Sequence, residues 1–442
     1  MSSRFARTLA AVAASLALAL TAACHADVSE QATTVDPNEH VELTYWTWAP
    51  NMERLAEAWN ATHPNIHVTV SKQDGGDATV TKYLTAIRAG SGAPDLIQAE
   101  YQKIPTLATN NAIADLARFG GTRLNSEFAE GTWRQVTLDT DAVYAIPQDA
   151  APLMFFYRKD VFAELGLTPP RTWDDYAAAA RAVHEADPNV YLGTFSANDA
   201  GLFVGLTQQA GASWWDTAED RWSVRIDSEP SRLVARFWGD LVEEGVIDNK
   251  PMYTPEWNNA LNTGTQVGWI SAVWAPGVLA GNAGATAGKW AAAPLPQWNT
   301  QKATTGAWGG SATAVSTQTK HAAAAFAFAT WLNTSAEATS LLAKEAGVYP
   351  ASLSAASSLN GQTQEFLGQR DFYELAARAN DSISPFIYGP NVNVAFSAFN
   401  DEFAKAAQSR QSSKFLTSLK AVDAATRTDL ANLGFDTEEE TH

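Results

Sequence analysis

Cysteine is almost absent from this chain. Cys24 is the only one in 442 residues, so no disulfide can form within the molecule and packing alone must hold the fold. Histidine is scarce as well: the seven are scattered, His63 and His67 straddle Pro64, and no His-Glu-x-x-His pattern occurs. No metal site and no cofactor is expected. Ala287-Gly288-Lys289-Trp290 lacks both the upstream glycine and the Ser or Thr of a phosphate loop, and there is no Gly-x-Ser-x-Gly. Nucleotide and nucleophilic chemistry therefore lose their markers. Basic charge is in short supply too. With 30 Lys and Arg against 48 Asp and Glu the net charge is −18, which argues against nucleic acid and against a basic membrane-binding surface.

The one long apolar run, Leu9 to Ala23, follows Arg4 and Arg7 and is too short to span a bilayer. It reads as a secretory signal over residues 1–23, with Cys24 where cleavage would occur. Leu20-Thr21-Ala22-Ala23-Cys24 resembles a bacterial lipobox, whose cysteine becomes lipidated and N-terminal, although Thr21 stands where Leu or Val is usual. An ordinary signal cleaved near Ala23 is the alternative. Residues 24–40 are polar and suit a tether, and 436–442 form an acidic tail.

About 400 residues remain, too many for one ordinary core and suited to two domains. Val41 to Trp48 alternates as a strand; Met52, Leu55, Ala56 and Trp59 share a helical face; Ile66 to Val70 is a strand; Val80, Leu84 and Ile87 line a helix capped by Gly90; Leu96-Ile97 is a third strand. Strand, helix, strand, helix, strand implies a parallel sheet with helices on both faces, and such sheets bind ligands at the carboxyl ends of their strands. Ile146 to Asp160 reads as a polar turn, Gln148-Asp149, leading into a buried strand from Ala150 to Tyr157. Thr172 to Asp175 is a capping-box signature and Thr334 with Glu337 a second. Tyr191 to Phe195 reads as a strand, Gln266 to Gly277 as a strand ending on Trp274 before a Pro-Gly turn, and Gly306 to Ser311 as a break.

YWTW, GDATVTKYLTAIRAGSGAPDL, IPQDAAPLMFFYRKDVF, GWISAVW, WGGSATAVS and GVYPAS follow one another in this order. Together they resemble the family-1, sugar-binding type of extracellular solute-binding protein that feeds ABC importers. The resemblance implies a two-lobed α/β fold, each lobe a mainly parallel sheet flanked by helices, joined by a hinge that the chain crosses several times. One lobe would hold 41–150 and 312–348, the other 151–311 and 349–435. It further implies a monomer with no enzymatic activity, anchored through Cys24 outside the cytoplasmic membrane, that delivers its ligand to ABC importer permease subunits.

Residue chemistry gives the ligand. A pyranose has apolar faces and a rim of hydroxyls, so aromatic rings cover the faces while carboxylates and amides meet the hydroxyls. The expected ligand residues are Trp46, Trp48, Asp74, Glu100, Tyr101, Gln148, Asp149, Asn198, Trp214, Trp274, Trp308, Gly309, Gly310, Tyr349 and Tyr388. Aromatics spread over both halves suit a neutral oligosaccharide. A secreted glycosidase would use the same tryptophans and carboxylates, and an acidic cleft would also admit a polyamine or peptide.

Overall fold

The computed structural model describes residues 34–35, 39–218 and 221–435. The leader, Cys24, most of the tether and the acidic tail lie outside the described residues. In chain order the strands are β1 Val41–Thr47, β2 Ile66–Lys72, β3 Leu96–Glu100, β4 Ile146–Asp149, β5 Leu153–Arg158, β6 Trp215–Ala218, β7 Arg221–Val224, β8 Gly268–Ala272, β9 Trp290–Pro294 and β10 Ser311–Val315.

The first lobe is built on the sheet β2-β1-β3-β10-β4. Its first three strands are parallel, because each is followed by a helix that carries the chain back over the sheet. Along β1 the alternate residues Val41, Leu43, Tyr45 and Thr47 point inward. The helix Met52–Thr62 lays Met52, Leu55, Ala56 and Trp59 on the sheet, the i, i+3, i+4, i+7 face of its sequence. The helix Gly76–Ala89 stops at Gly90, whose φ of 69° closes it in the left-handed region. β10 enters the sheet antiparallel to both β3 and β4.

The stretch from Ile146 to Asp160 is two strands in two sheets. β4 closes the first sheet, Ala150 to Pro152 cross over, and β5 becomes the centre of the second sheet, β8-β5-β9. That second sheet is antiparallel throughout its pairings with β5, a departure from the mainly parallel sheet expected in each lobe. The reason lies in the crossing itself: β5 leaves the hinge, so β8 and β9, which must bring their carboxyl ends back to it, run the other way. Ala272 and Pro294 accordingly stand beside Leu153 and Met154.

Two local expectations also change. Tyr191 to Phe195 forms no strand, because Tyr191 pairs with Thr265 and Val267 while Gly193 and Phe195 pair with Asp248, so the segment switches partner before a ladder can grow. The helix Ala336–Leu341 is capped by Ser335, whose hydroxyl accepts from the Ala338 amide, and not by Thr334. The capping box at Thr172 and Asp175 is complete in both directions.

Three segments cross between the lobes and are bonded to one another. The Ala150 amide donates to the Tyr349 carbonyl at 2.9 Å, Ala351 to Gln148 at 3.1 Å, and Trp308 to Ala151 at 3.0 Å. The crossing is thus a short ribbon of three segments held by backbone hydrogen bonds.

Candidate functional site

The carboxyl ends of β1, β3 and β4 and the start of β10 meet at the hinge. Ser311 pairs with Glu100 on one side and Asp149 on the other, which sets the backbones of those two acidic residues about 10 Å apart by strand spacing. A chain of side-chain bonds links Asp149 to the loop after β1. Gln98 Oε1 accepts from the Trp48 and Ala49 amides at 3.2 and 3.3 Å, Gln98 Nε2 donates to Ser311 Oγ at 2.9 Å, and Ser311 Oγ donates to Asp149. Gln98 is 2% exposed and Ser311 3%, so the centre of this network is shielded from solvent while its ends, Trp48 and Asp149, are partly exposed. Gln98, just past the expected strand Leu96-Ile97, is absent from the residues expected in the site.

Gly309 and Gly310 both have φ of 86°. At Gly310 a Cβ would stand 2.7 Å from the Tyr101 ring and 3.1 Å from the Asp149 carbonyl, so only glycine lets the ring come this close. Tyr101 in turn donates its hydroxyl to the Asp149 carbonyl at 2.9 Å. Trp48 is half-buried with its ring against Gly75, and Asp74 is exposed beside it at the rim.

The second lobe supplies an aromatic wall. Trp274 Nε1 donates to the Trp308 carbonyl at 3.0 Å, and the two rings stand 4.9 Å apart, edge to face. Tyr253 lies 6.2 Å from Trp308 and 6.3 Å from Trp269. It is 43% exposed and holds φ at 64°, a strained backbone for a tyrosine. Sequence reading missed Tyr253. Its place in a loop between Pro251 and Pro255 was the only available signal.

Beside this wall sits Asp199, also missed in favour of its neighbour Asn198. Asp199 caps the helix Ala200–Gln209 by accepting from the Leu202 amide at 3.1 Å. Burial pushes its carboxyl up to about 7, against weaker lowering by the Leu202 amide and the Trp308 indole. Asn198 itself is exposed and accepts from the Ser196 hydroxyl. Burial likewise raises Asp149 to about 6, opposed by its bonds to Ser311 and reinforced by the charge of Glu100. Glu100 is raised by burial, while Lys103 lowers it and Asp77 raises it. Tyr388, 6% exposed, stands within electrostatic reach of Glu100. Lys103, a buried cation that sequence reading overlooked, contacts Asp77 at 2.5 Å and donates across to Asn393 at 2.6 Å.

Three expected residues lie elsewhere. Trp214 is fully buried and donates to Ser231 Oγ at 3.1 Å, so it is core of the second lobe. Gln148 is fully buried and accepts from Tyr45 and Thr313, because its position on β4 points it into the first lobe. Trp46 packs edge-on against Tyr83 with Lys82 4.3 Å over its ring; its alternate position on β1 turns it towards the helix Gly76–Ala89. Tyr349 lies in the third crossing, its ring 6% exposed.

Carboxylates at the ends of β3 and β4 and a wall of indoles and a tyrosine thus lie on either side of the hinge. Among the described residues no cluster of His, Cys, Asp and Glu is arranged to hold a metal ion.

The family model described as bacterial extracellular solute-binding protein matches residues 45–339. An arabinooligosaccharide-binding protein of Halalkalibacterium halodurans is 26% identical over 300 residues, 63% of this chain and 64% of that protein, so the matched part falls short of two thirds of that relative's length. An arabinooligosaccharide-binding protein of Bacillus subtilis is 23% identical over 86% of this chain and 88% of its own. The galacto-N-biose-/lacto-N-biose I-binding protein of the ABC transporter from Bifidobacterium longum, solved with lacto-N-biose, superposes with a TM-score of 0.78 at 26% identity, over 91% of this chain and 100% of that one. The chain belongs to the bacterial extracellular solute-binding protein family.

Proposed function

We propose that this protein captures a neutral oligosaccharide outside the cell by closing its two lobes over it, and hands it to an ABC importer in the membrane. The observation that carries this reading is the pairing of chemistries across the hinge: Trp274, Trp308 and Tyr253 on one side, Glu100, Asp149 and the loop of Trp48 on the other. Rings cover the C–H faces of a pyranose and carboxylates accept from adjacent hydroxyls. Neutrality of the ligand follows from the charges at hand. Asp74, Glu100, Asp149 and Asp199 are acidic, and Lys103, the cation beside Glu100, is already engaged by Asp77 and Asn393. The names of the relatives, arabinooligosaccharide- and lacto-N-biose-binding proteins, support a sugar as the ligand class.

Thermal-shift screening of the lipid-free protein against a carbohydrate library tests this, since a ligand at 100 times its dissociation constant adds about 2.7 kcal/mol of stability. A response to polyamines or peptides and to no glycan overturns the sugar assignment. Release of reducing ends from a bound oligosaccharide would move the protein to the hydrolases.

The same reading places residues 41–150 with 312–348 in one lobe, 151–311 with 349–435 in the other, and a monomer on the outer face of the membrane, held by lipid on Cys24. The Cys24→Ala protein should then appear in the culture medium, since acyl chains alone would hold it. Its retention on cells refutes the anchor.

A further inference from the structure

The loop that carries Tyr253 is closed at its base by an ion pair. Lys250, just before Pro251, meets Glu256, just after Pro255, with Nζ and Oε1 2.6 Å apart. The two ends of the loop are therefore tied together while Tyr253 stands at its tip with φ at 64°. Both ends line a small pocket of about 210 Å³ in the second lobe. Its other walls are Asn189 and Tyr191, Asp248, the first turns of the helix Pro255–Thr263, and Thr265 with Gln266 just before β8. The pocket shares no lining residue with the aromatic wall or with the carboxylate ends of β3 and β4. Trp257 connects the two places: it lines the pocket, and its ring lies 5.4 Å from Tyr253 and 5.2 Å from Trp269.

Trp257 is 3% exposed, and its indole nitrogen has no hydrogen-bond partner among the described residues. A buried donor left without an acceptor is costly and rare in native proteins. A ligand oxygen in the pocket would supply the acceptor. Around that space stand the half-buried ring of Tyr191, the carboxylates of Asp248 and Glu256, the ammonium of Lys250 and the side-chain amide of Asn259. Rings that cover an apolar face, carboxylates that accept and amides that do both are what a hydroxylated ring requires. Two carboxylates against one ammonium, itself already paired with Glu256, disfavour an anion. The volume lies below the roughly 300 Å³ at which pockets for larger ligands begin, so it suits one sugar ring and not a chain.

We infer that this pocket binds one neutral monosaccharide, and that its occupancy tunes the affinity of the cleft through the loop from Lys250 to Glu256. A ring held by Trp257, Lys250 and Glu256 engages both ends of that loop and the indole beside Tyr253, so it restrains the tyrosine that contributes to the aromatic wall. Such coupling is reciprocal: each ligand changes the affinity of the other by the same factor. The pocket stands on its own chemistry, whereas the coupling rests on the carbohydrate reading of the cleft.

Nuclear magnetic resonance of the nitrogen-labelled protein tests this, with the Trp257 indole signal assigned by its loss in Trp257→Phe. Glucose, galactose, xylose and arabinose are added singly, and tetramethylammonium serves as the cationic probe. One of the sugars should shift the indole signal, in the empty protein and also when the cleft is saturated with an arabino-, galacto- or malto-oligosaccharide. In calorimetric titration that sugar should change the affinity for the oligosaccharide at least about fivefold, and the oligosaccharide should change the affinity for the sugar by the same factor. Asn259→Trp, which fills the pocket from an exposed position, should remove the shift and the coupling and leave the affinity for the oligosaccharide alone unchanged. Tyr191→Ala should weaken the monosaccharide selectively, so that one misfolded variant does not decide the matter. No shift with any monosaccharide, a shift with tetramethylammonium alone, a shift that persists in Asn259→Trp, or an oligosaccharide affinity indifferent to the monosaccharide overturns the inference. A monosaccharide shift without binding of any oligosaccharide series overturns the reading of the cleft instead and leaves the ligand of the pocket in place.

Discussion

Asp149 and Asp199 show how much a single position can cost the empty protein. Burial raises both carboxyls, to about 6 and about 7 from an ordinary value of 3.8. Near pH 2, well below both values, the folded and unfolded chains hold these protons equally. Between pH 4 and 7 the unfolded carboxylates ionise first, the folded protein binds more protons, and stability contributed by these groups is lost as pH rises. Replacing Asp199 by asparagine keeps an acceptor for the Leu202 amide but removes the buried charge. The Asp199→Asn protein should therefore melt at a higher temperature than wild type at pH 8 and at about the same temperature at pH 3, below the unfolded value. The ligand reverses the preference, because a sugar hydroxyl donating to the carboxylate favours its charged form. Wild-type affinity should rise from pH 5 to pH 8, and the Asp199→Asn profile should be flatter and weaker. A lower melting temperature for Asp199→Asn at pH 8 would show that the ionised carboxylate stabilises the empty protein, contrary to this account.

At the level of elements, the first lobe was legible because its signals are local. The alternation of Val41, Leu43 and Tyr45, the helical face of Met52 to Trp59 and the glycine cap at Gly90 each specify their element without reference to the rest of the chain. The second sheet was less so. Its antiparallel order is set by which way the chain leaves the hinge, and a buried strand such as Phe155–Tyr157 reads the same in either direction. The site divides along the same line. Asp149, Gly310 and Trp274 stand out as candidates in the sequence because they follow or end predicted strands or break them. Trp214 follows the same pattern yet is core, since the hairpin β6–β7 and the helix Glu229–Glu244 fold over it. Tyr253, Asp199 and Lys103 carry no local mark, because they join the site through tertiary packing of loops and helix starts.

For the whole molecule the open question is what favours closure before any ligand arrives. Among the described residues Lys103 bonds across the lobes, from the end of the first sheet to Asn393 at the start of the helix Val392–Ser409, and Thr106 donates to the Pro390 carbonyl at 3.0 Å beside it. Lys103 also has Asp77, on the helix Gly76–Ala89, so if the lobes part between Lys103 and Asn393 the cation keeps a partner and the bond to Asn393 is the one lost. A hydrogen bond from a charged donor contributes about 1.5–3 kcal/mol, and a change of 1.4 kcal/mol in the closed state alters apparent affinity about tenfold if closure is needed for tight binding. Asn393 is exposed on its helix, so truncating it leaves the core untouched. Asn393→Ala should melt like wild type without ligand, show a larger radius of gyration in small-angle scattering, and bind its sugar about tenfold more weakly through faster dissociation. Unchanged scattering and unchanged affinity would mean that the Lys103 bond follows closure without favouring it, and that the ligand alone supplies the free energy that brings the aromatic wall to the carboxylate rim.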